Sequence, residues 1–322
     1  MAVPAHDARI VFYQEGLTMT DTIPASSEKR AKKVKFLWFF YVFAIVASAA
    51  GTLLRLAVLL YDYDYELGLY KSDAVLPQIF RAVLIVCVAA LLTTIKAGGQ
   101  AGLPGRLLPV GRLLTFISAL AGFSMFATVV MQLLMKLSFE ISLQGWKSTL
   151  ASGLEVAMQV FALPSALYFI VMAVRQNPYR PSTAALGFFP VLWAAAYLMC
   201  VYFDTSTTLN NPLRILEQAS LIMVMVFMLM ELRCLVGKAK PHIYITFGMI
   251  VMVMVTSASL PTFLLTLAMK MKVSVDTIFD ATKLCIAAYA AVRVADMIRA
   301  AGKSEAQTEG MADIQSGGTS EN

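Results

Sequence analysis

Apolar and polar positions divide the chain into eight long apolar segments separated by short polar stretches. Each segment has about the 20 residues that a helix needs to cross a bilayer, and charged residues, Pro, Gly or Asn bound it. The segments fall at residues 36–60, 78–96, 113–135, 153–174, 184–203, 213–233, 243–268 and 278–299. Strands of a membrane barrel would instead alternate apolar and polar residues. The pattern therefore predicts an all-α fold, a polytopic transmembrane helical bundle with eight spans.

The composition of the chain strengthens this prediction. Of its 322 residues, 59% are hydrophobic and 14% are charged, against roughly 45–50% and about 25% in soluble domains. The lipid bilayer is thus the predicted partner of residues 36–299. An N-terminal tail (1–35) and a polar C-terminal tail (300–322) lie outside it, and we expect the C-terminal tail to be disordered. No room is left for a soluble catalytic domain.

The distribution of Lys and Arg predicts the orientation of the bundle. Sixteen of these residues fall on one side of the eight segments, and six fall on the other. Because basic residues are retained on the cytoplasmic side, both termini are expected in the cytoplasm, in a plasma (inner) membrane. The net charge of +6 follows from the same bias, so it does not indicate a nucleic-acid partner.

The sequence predicts no signal peptide before the first apolar segment, because 1–18 lack an apolar core. In a bacterial gene, the codons for Gln14–Gly16 can contain a ribosome-binding consensus just upstream of the codon for Met19. Residues 1–18 are therefore either part of the tail or a mis-assigned start.

Two halves of the bundle, residues 36–174 and 184–299, carry similar sequence at corresponding places. The third segment begins with Leu114–Phe116 and the seventh with Ile245–Phe247, and each then continues to an apolar residue followed by Met and Lys. Two four-helix repeats of this kind would be parallel, related by an axis along the membrane normal. Chance similarity among apolar helices explains the same matches, so both interpretations stay open.

Residues that support metal or acid–base chemistry are sparse. The four cysteines lie singly in different segments, without the short-spaced pairs of a zinc or redox site. The histidines are His6 and His242 alone. The glycine-rich stretch 98–105 lacks the Gly-Lys-Ser/Thr ending of a phosphate-binding loop. We therefore expect no metal, no cofactor and no enzymatic activity, with an intramembrane enzyme the least favoured class.

Polar side chains within the segments are the candidate ligand-binding residues. At about 1.5 Å per residue they lie roughly 5–10 Å from the outer ends of the spans. They are Arg55, Arg81, Glu155, Gln159, Glu217, Asp280 and Lys283. Charges inside a membrane are costly unless they pair or face a wet cavity, so this layer has two interpretations.

The first interpretation is a closed layer of ion pairs that holds the bundle in register. The second is an outward-facing pocket for a small zwitterionic or charged solute. In that pocket Arg55 and Arg81 would hold an anionic group, and Glu155 or Glu217 a cationic group or a proton. Arg81 and Glu217 follow corresponding prolines, which also makes them a candidate pair across the repeats.

Charges at the opposite ends of the sixth and eighth segments suggest a further contact. Glu231 can pair with Arg293 between helices, although both side chains can instead extend to the interface. Arg293 and Asp296 are three residues apart and can pair along one helix face. Ser118 and Gly122 of the third segment have the small-residue spacing that permits close helix packing.

Part of the chain resembles a pattern found in uncharacterised multi-pass membrane proteins of anaerobic Gram-positive bacteria. The resemblance rests on Phe189–Trp193, Tyr202–Asp204, Asn211–Pro212 and Glu231–Arg233, and its stretch covers roughly a sixth of the chain. It implies a bacterial plasma membrane and implies no activity, cofactor or site residue.

The sequence favours two function classes over an intramembrane enzyme. A transporter or channel-like protein for a small solute is favoured by the layer of intramembrane charges. The alternative is a membrane sensor or an assembly or accessory protein, acting through a protein partner or as a homo-oligomer without transport. The sequence does not identify the solute.

Overall fold

A computed structural model describes all eight predicted segments. The described residues are 23–64, 67–71, 73–98, 103–104, 107, 111–139, 149–174, 181–204, 211–268 and 275–317. The alternative start at Met19 lies outside the described residues.

The described chain is built from helices and one small hairpin. The helices are α1 (Ile23–Ala57), α2 (Leu76–Leu92), α3 (Thr94–Gly98), α4 (Arg112–Phe139), α5 (Thr149–Val174), α6 (Pro181–Gly187), α7 (Phe189–Phe203), α8 (Pro212–Leu235), α9 (Pro241–Ala268) and α10 (Val275–Gly317). A π-helical turn, Val58–Asp62, connects α1 to an antiparallel hairpin of β1 (Tyr63–Asp64) and β2 (Leu69–Tyr70). Gly68 between these strands has a φ of 67°, a conformation that glycine adopts without steric cost.

Seven described helical segments are long and apolar enough to cross a membrane. They are Ala31–Asp62, Leu76–Lys96, Arg112–Leu134, Gly153–Val174, Pro181–Phe203, Pro212–Leu235 and Pro241–Ala268. The helix α10 is not among them, and Asp280, Lys283, Arg293 and Asp296 interrupt its apolar sequence. The chain is a multi-pass membrane protein with an all-α bundle, as the hydrophobic pattern predicts.

Six helices form a closed ring, in which α4, α5, α7, α8, α9 and α10 each pack against the next and α10 returns to α4. The helix α1 packs on α9 and α10, and α2 and α3 lie beside α1 and α9. Fully buried side chains from α5, α8, α9 and α10, such as Tyr168, Phe227, Tyr244 and Tyr289, fill the ring at the level of these residues. We call α4, α5 and α7–α10 the helix ring.

Small residues allow the helices to approach closely. Ser118 of α4 donates a hydrogen bond to the carbonyl oxygen of Phe169 in α5, at 2.7 Å. A Cβ atom at Gly122 would lie 3.0 Å from the carbonyl oxygen of Ala166, also in α5. The predicted small-residue packing of the third span is therefore confirmed, with α5 as its partner.

The two halves of the chain do not pack alike. In the most apolar window of α9, 72% of residues are buried, against 39% in α4, its counterpart in the predicted repeat. The helix α9 packs against α1, α2, α3, α8 and α10, whereas α4 packs chiefly against α5 and α10. The repeat is not confirmed by this packing.

The helices at both ends of the described chain extend beyond the predicted spans. The helix α1 begins at Ile23, within the predicted N-terminal tail, and α10 continues to Gly317, where the sequence predicts disorder from residue 300. Residues 300–317 contain several Ala, Glu, Lys and Gln residues, which are good helix formers. Extending an existing helix also avoids the cost of nucleation.

Candidate functional site

Lys283 occupies the centre of a polar cluster in the helix ring, near the end where α8 and α10 begin. Its ammonium lies 2.9 Å from Oε1 of Glu217 and 2.9 Å from Oδ1 of Asp280. Asp280 precedes Lys283 by three residues on α10, so the two side chains share a helix face. Glu217 approaches from α8. One lysine and two carboxylates therefore connect the two helices.

Two hydroxyl groups hold the carboxylates of this cluster in place. Tyr197 of α7 donates to Oε1 of Glu217 at 2.6 Å, and Thr262 of α9 donates to Oδ2 of Asp280 at 2.7 Å. The Lys283 ammonium also lies 5.6 Å from the centroid of the Tyr197 ring, within the range of a cation–π interaction. We call these five residues the Lys283 cluster, to which α7, α8, α9 and α10 all contribute.

The Lys283 cluster is partly accessible and carries an excess of negative charge. The side chain of Glu217 is 32% exposed and that of Asp280 is 15% exposed, while Lys283 is 3% exposed behind them. With one cation and two carboxylates, the ionised cluster has a net charge of −1. Asp276, one turn before Asp280 on α10, is exposed and adds to this negative charge.

Arg55 and Arg81 lie in a different group, formed by α1, α2 and the hairpin. Buried Arg55 donates from Nη1 to the Tyr70 hydroxyl, and its guanidinium carbon lies 5.4 Å from the centroid of the Phe80 ring. Arg81 is exposed, with its guanidinium carbon 5.7 Å from the centroid of the Tyr70 ring. The suggested pairing of Arg81 with Glu217 is therefore wrong, since Lys283 is the partner of that carboxylate.

Glu155 and Gln159 lie one turn apart near the start of α5, and both are half-buried. The structure thus divides the seven candidates from the sequence into three groups. Glu217, Asp280 and Lys283 are joined directly by hydrogen bonds and ion pairs. The arginines contact the hairpin, and the other two candidates lie on α5.

A second polar cluster lies in the helix ring near the end of α8. Oε1 of Glu231 accepts hydrogen bonds from Tyr168 of α5, at 2.9 Å, and from Tyr289 of α10. Nε of Arg293 lies 3.9 Å from the same oxygen and donates to the Tyr289 hydroxyl at 3.0 Å. Tyr244 of α9 also faces the carboxylate. We call Tyr168, Glu231, Tyr244, Tyr289 and Arg293 the Glu231 cluster.

The Glu231 cluster is sealed from solvent by aromatic packing. Glu231 is 0% exposed and Arg293 is 2% exposed. Phe169 packs edge-on against Tyr289, and Phe227 stacks on Tyr244. Pairing between α8 and α10 is thus present, and the alternative of two charges extending to the membrane interface is wrong.

The sequence did not reveal the tyrosines of either cluster. Tyrosine in a membrane protein is expected at the interface, so Tyr168, Tyr244 and Tyr289 within apolar segments carried no separate signal. The four-residue spacing of Tyr289 and Arg293 could have suggested a shared helix face. The expected pairing of Arg293 with Asp296 is not the one observed, because Asp296 lies 3.6 Å from Arg299.

Within the described part of the chain, no group of three or more His, Cys, Asp and Glu residues is arranged to hold a metal ion. The cysteines there, at 87, 200, 234 and 285, are all free thiols. The two clusters are composed of charged and hydroxyl side chains.

Comparison of the chain with protein-family models, curated proteins and solved structures gives no match.

Proposed function

We propose that the chain is a transporter or channel-like protein for a small solute, with the Lys283 cluster as its contact site. The observation that carries this proposal is the unequal exposure of two ionisable clusters within one ring of helices. Glu217 is partly exposed at one end, whereas Glu231 is fully buried toward the other. The fourteen-residue spacing of these glutamates on α8 corresponds to about four turns and roughly 21 Å, so both lie on one face of α8, from which they contact α10.

The energetics of buried charge support a functional role for these residues. Ionisable residues within membrane spans are expensive and commonly mark solute or proton pathways. A buried ion pair often contributes no net stability compared with apolar residues of similar volume. A bundle that needed only to be stable would gain little from two such clusters.

The charge of the Lys283 cluster favours a solute that carries a positive charge. Glu217 and Asp280 exceed the single cation by one charge, and the Tyr197 ring offers a π face to an ammonium group. Arg55 and Arg81 contact the hairpin instead, so they do not support the expected anion-binding half of a zwitterion pocket. A small organic amine therefore fits this site better than a carboxylate does.

Ligand-dependent stability tests the proposed contact site. Purified full-length protein in lipid nanodiscs is heated in the presence of small alkylammonium ions, zwitterionic glycine or acetate. We expect a rise in the melting temperature with the amines, lost in Glu217→Gln but kept in the matched surface variant Arg81→Gln. Stabilisation by acetate alone, or equal stabilisation of Glu217→Gln, would contradict the assignment.

Uptake into proteoliposomes then separates transport from simple binding. Labelled methylammonium should accumulate with wild-type protein down an imposed gradient, and much less with Glu217→Gln. Amine-dependent stabilisation without any uptake would indicate a protein that binds amines but does not transport them, and would refute the transport proposal.

For the membrane arrangement, we propose α10 as the eighth span, both termini in the cytoplasm, and the plasma membrane of a bacterium as the location. The Lys and Arg bias and the length of α10 support this arrangement. In a cysteine-free background, Asp73→Cys should react with an impermeant thiol reagent on intact cells, and Lys238→Cys should not. Both positions are exposed, so the reverse pattern would overturn the orientation.

A sensor or assembly protein is the second candidate, and the length of α10 favours it. Its 43 residues correspond to roughly 64 Å at 1.5 Å per residue, about twice the bilayer core. The part of α10 beyond the ring could therefore contact a protein partner. Truncation after Gly302 separates the candidates, because a transporter should keep amine uptake and an accessory protein should lose its partner.

A further inference from the structure

The two carboxylate oxygens of Glu231 have different surroundings. Oε1 accepts hydrogen bonds from Tyr168 and Tyr289. No hydrogen bond from the described residues reaches Oε2, although that atom is fully buried. The Tyr244 hydroxyl faces the same carboxylate and likewise makes no hydrogen bond of regular geometry with any described residue. Two buried polar atoms around this carboxylate, Oε2 of Glu231 and the Tyr244 hydroxyl, thus lack a hydrogen bond of regular geometry with the described residues.

Arg293 does not bind the carboxylate through a direct two-pronged contact. Its Nε lies 3.9 Å from Oε1, beyond hydrogen-bond distance, and donates instead to the Tyr289 hydroxyl at 3.0 Å. Tyr289 in turn donates to Oε1 of Glu231. The Tyr289 hydroxyl therefore connects the guanidinium to the carboxylate through two hydrogen bonds. The guanidinium makes no hydrogen bond to Oε2.

We propose that Glu231 is a proton-binding site, with the proton carried on Oε2. A proton from bulk water would join Oε2, and the new O–H group would donate to the Tyr244 hydroxyl oxygen. Tyr168 and Tyr289 can continue to donate to Oε1, which becomes the carbonyl oxygen of the acid. No other bond breaks, and the ion pair of Glu231 and Arg293 changes from neutral to a net charge of +1.

The ionisable groups around Glu231 come from α5, α8, α9 and α10. The helices α5 and α9 contribute Tyr168 and Tyr244, α10 contributes Tyr289 and Arg293, and α8 itself contributes Cys234. The helix α6 has no ionisable residue in its sequence. On α7, Tyr197 donates a hydrogen bond to Glu217 at the opposite end of the ring. Cys200 and Tyr202 come after Tyr197 on α7 and lie still farther from Glu231. Asp296 of α10 is paired with Arg299.

Protonation of Glu231 would change how α8 and α10 are held together. The helices are joined by charge at two levels, through Lys283 with Glu217 and through Arg293 with Glu231. A proton on Glu231 removes the second attraction and leaves the first, so α10 can move relative to α8 about the Lys283 cluster. The proton would then be the coupling ion for solute movement, a role that rests on the proposed transport function.

Infrared difference spectroscopy on the full chain in lipid nanodiscs tests the proton site without any solute. Lowering the pH from alkaline to mildly acidic should produce the carbonyl stretch of a buried carboxylic acid, with a shift in D2O. We expect Glu231→Gln to abolish this band, while Glu217→Gln, the matched change in the other cluster, retains it. A band that persists in Glu231→Gln, or the absence of any such band in the wild type, would overturn the site.

Tyr244→Phe provides a test if Glu231→Gln fails to fold. It removes the oxygen that accepts the proposed acid proton and keeps the ring that stacks on Phe227. The acid band of Tyr244→Phe should therefore require more acidic pH than that of the wild type. An unchanged pH response would show that the proton is not shared with Tyr244 and would overturn the proposal.

Proton movement during amine transport tests the coupling role separately. Vesicles with a pH-sensitive dye inside should show a pH change that depends on methylammonium gradients with wild-type protein and not with Glu231→Gln. If the acid band is present but amine transport moves no protons, the coupling role fails and the proton site stands. If no amine is bound or moved at all, the proposed function fails instead.

Discussion

Gly248 of α9 lies close to Val294 of α10, and replacing it by Ala tests this packing directly. A Cβ atom at Gly248 would lie 2.4 Å from Cγ2 of Val294 and 3.3 Å from Cε2 of Phe227. Carbon atoms pack best at about 3.5–4.0 Å, so Val294 would have to retreat by about 1 Å. Val294 is itself 0% exposed, so it would have to move within the packed interior.

The expected cost of Gly248→Ala follows from two opposing effects. Overpacking a well-packed site typically costs about 1–3 kcal/mol, and replacing glycine by alanine in a helix returns up to about 1 kcal/mol. Because the added Cβ would lie only 2.4 Å from Val294, we take the upper part of the overpacking range, about 2–3 kcal/mol. Subtracting a helix gain of about 1 kcal/mol leaves an expected net loss of about 1–2 kcal/mol in the free energy of unfolding. Unfolding by SDS in mixed micelles, followed by far-ultraviolet circular dichroism, measures this quantity.

Two further variants make the test specific. Gly153→Ala is the matched control, because Gly153 is also helical but has nothing within 4 Å of an added Cβ. It should be unchanged or more stable by up to about 1 kcal/mol. Adding Val294→Ala to Gly248→Ala should relieve the clash, with a coupling free energy of about 1 kcal/mol or more. Strictly additive effects, or a wild-type stability for Gly248→Ala, would refute the described contact of α9 with α10.

Three other changes address the ion pairs and hydrogen bonds. Lys283→Met should lower the free energy of unfolding by about 3–5 kcal/mol in the same assay, because it leaves two buried or half-buried carboxylates without their cation. A loss below that of a typical surface substitution would contradict the ion pairs. Ser118→Ala should cost about 0.5–1.5 kcal/mol through the lost bond to the Phe169 carbonyl, and Ser118→Thr, which keeps a hydroxyl, is its control. Arg81→Gln should leave stability within about 0.5 kcal/mol of wild type, as expected at an exposed position, and a larger loss would show that Arg81 has a structural role.

The hydrophobic pattern was sufficient to predict the helices but not their details. Predicted segments end at the observed ends of α5 and α9, Val174 and Ala268, because lipid requires long apolar helices whatever their packing. The break at Phe188 between α6 and α7 was not predicted. Pro190 lies within the next turn, but a proline in a span can either kink a helix or break it. The sequence therefore did not distinguish a kinked helix from two separate helices.

Depth in the membrane could be predicted for the candidate site, whereas contacts between helices could not. Arg55 and Arg81 were predicted at similar depth, yet Arg55 is buried and Arg81 is exposed. Which side of a helix faces the protein interior depends on the helices that pack around it. The Lys283 cluster joins residues of four helices, and nothing local in sequence specifies which helices meet. Glu231 was recognised as a charge, but its burial among three tyrosines depends on the closure of the helix ring.

The closure of the helix ring by α10 has a consequence for biosynthesis. The carboxylates of Glu217 and Glu231 are on α8, which leaves the ribosome before α10 brings Lys283 and Arg293. Until α10 arrives, these acids are in the membrane or its interface without their cations, a costly state that protonation would relieve. We therefore expect α8 to be sheltered from lipid until α10 is made, and synthesis that stops before α10 to leave Glu217 and Glu231 in the membrane without Lys283 and Arg293.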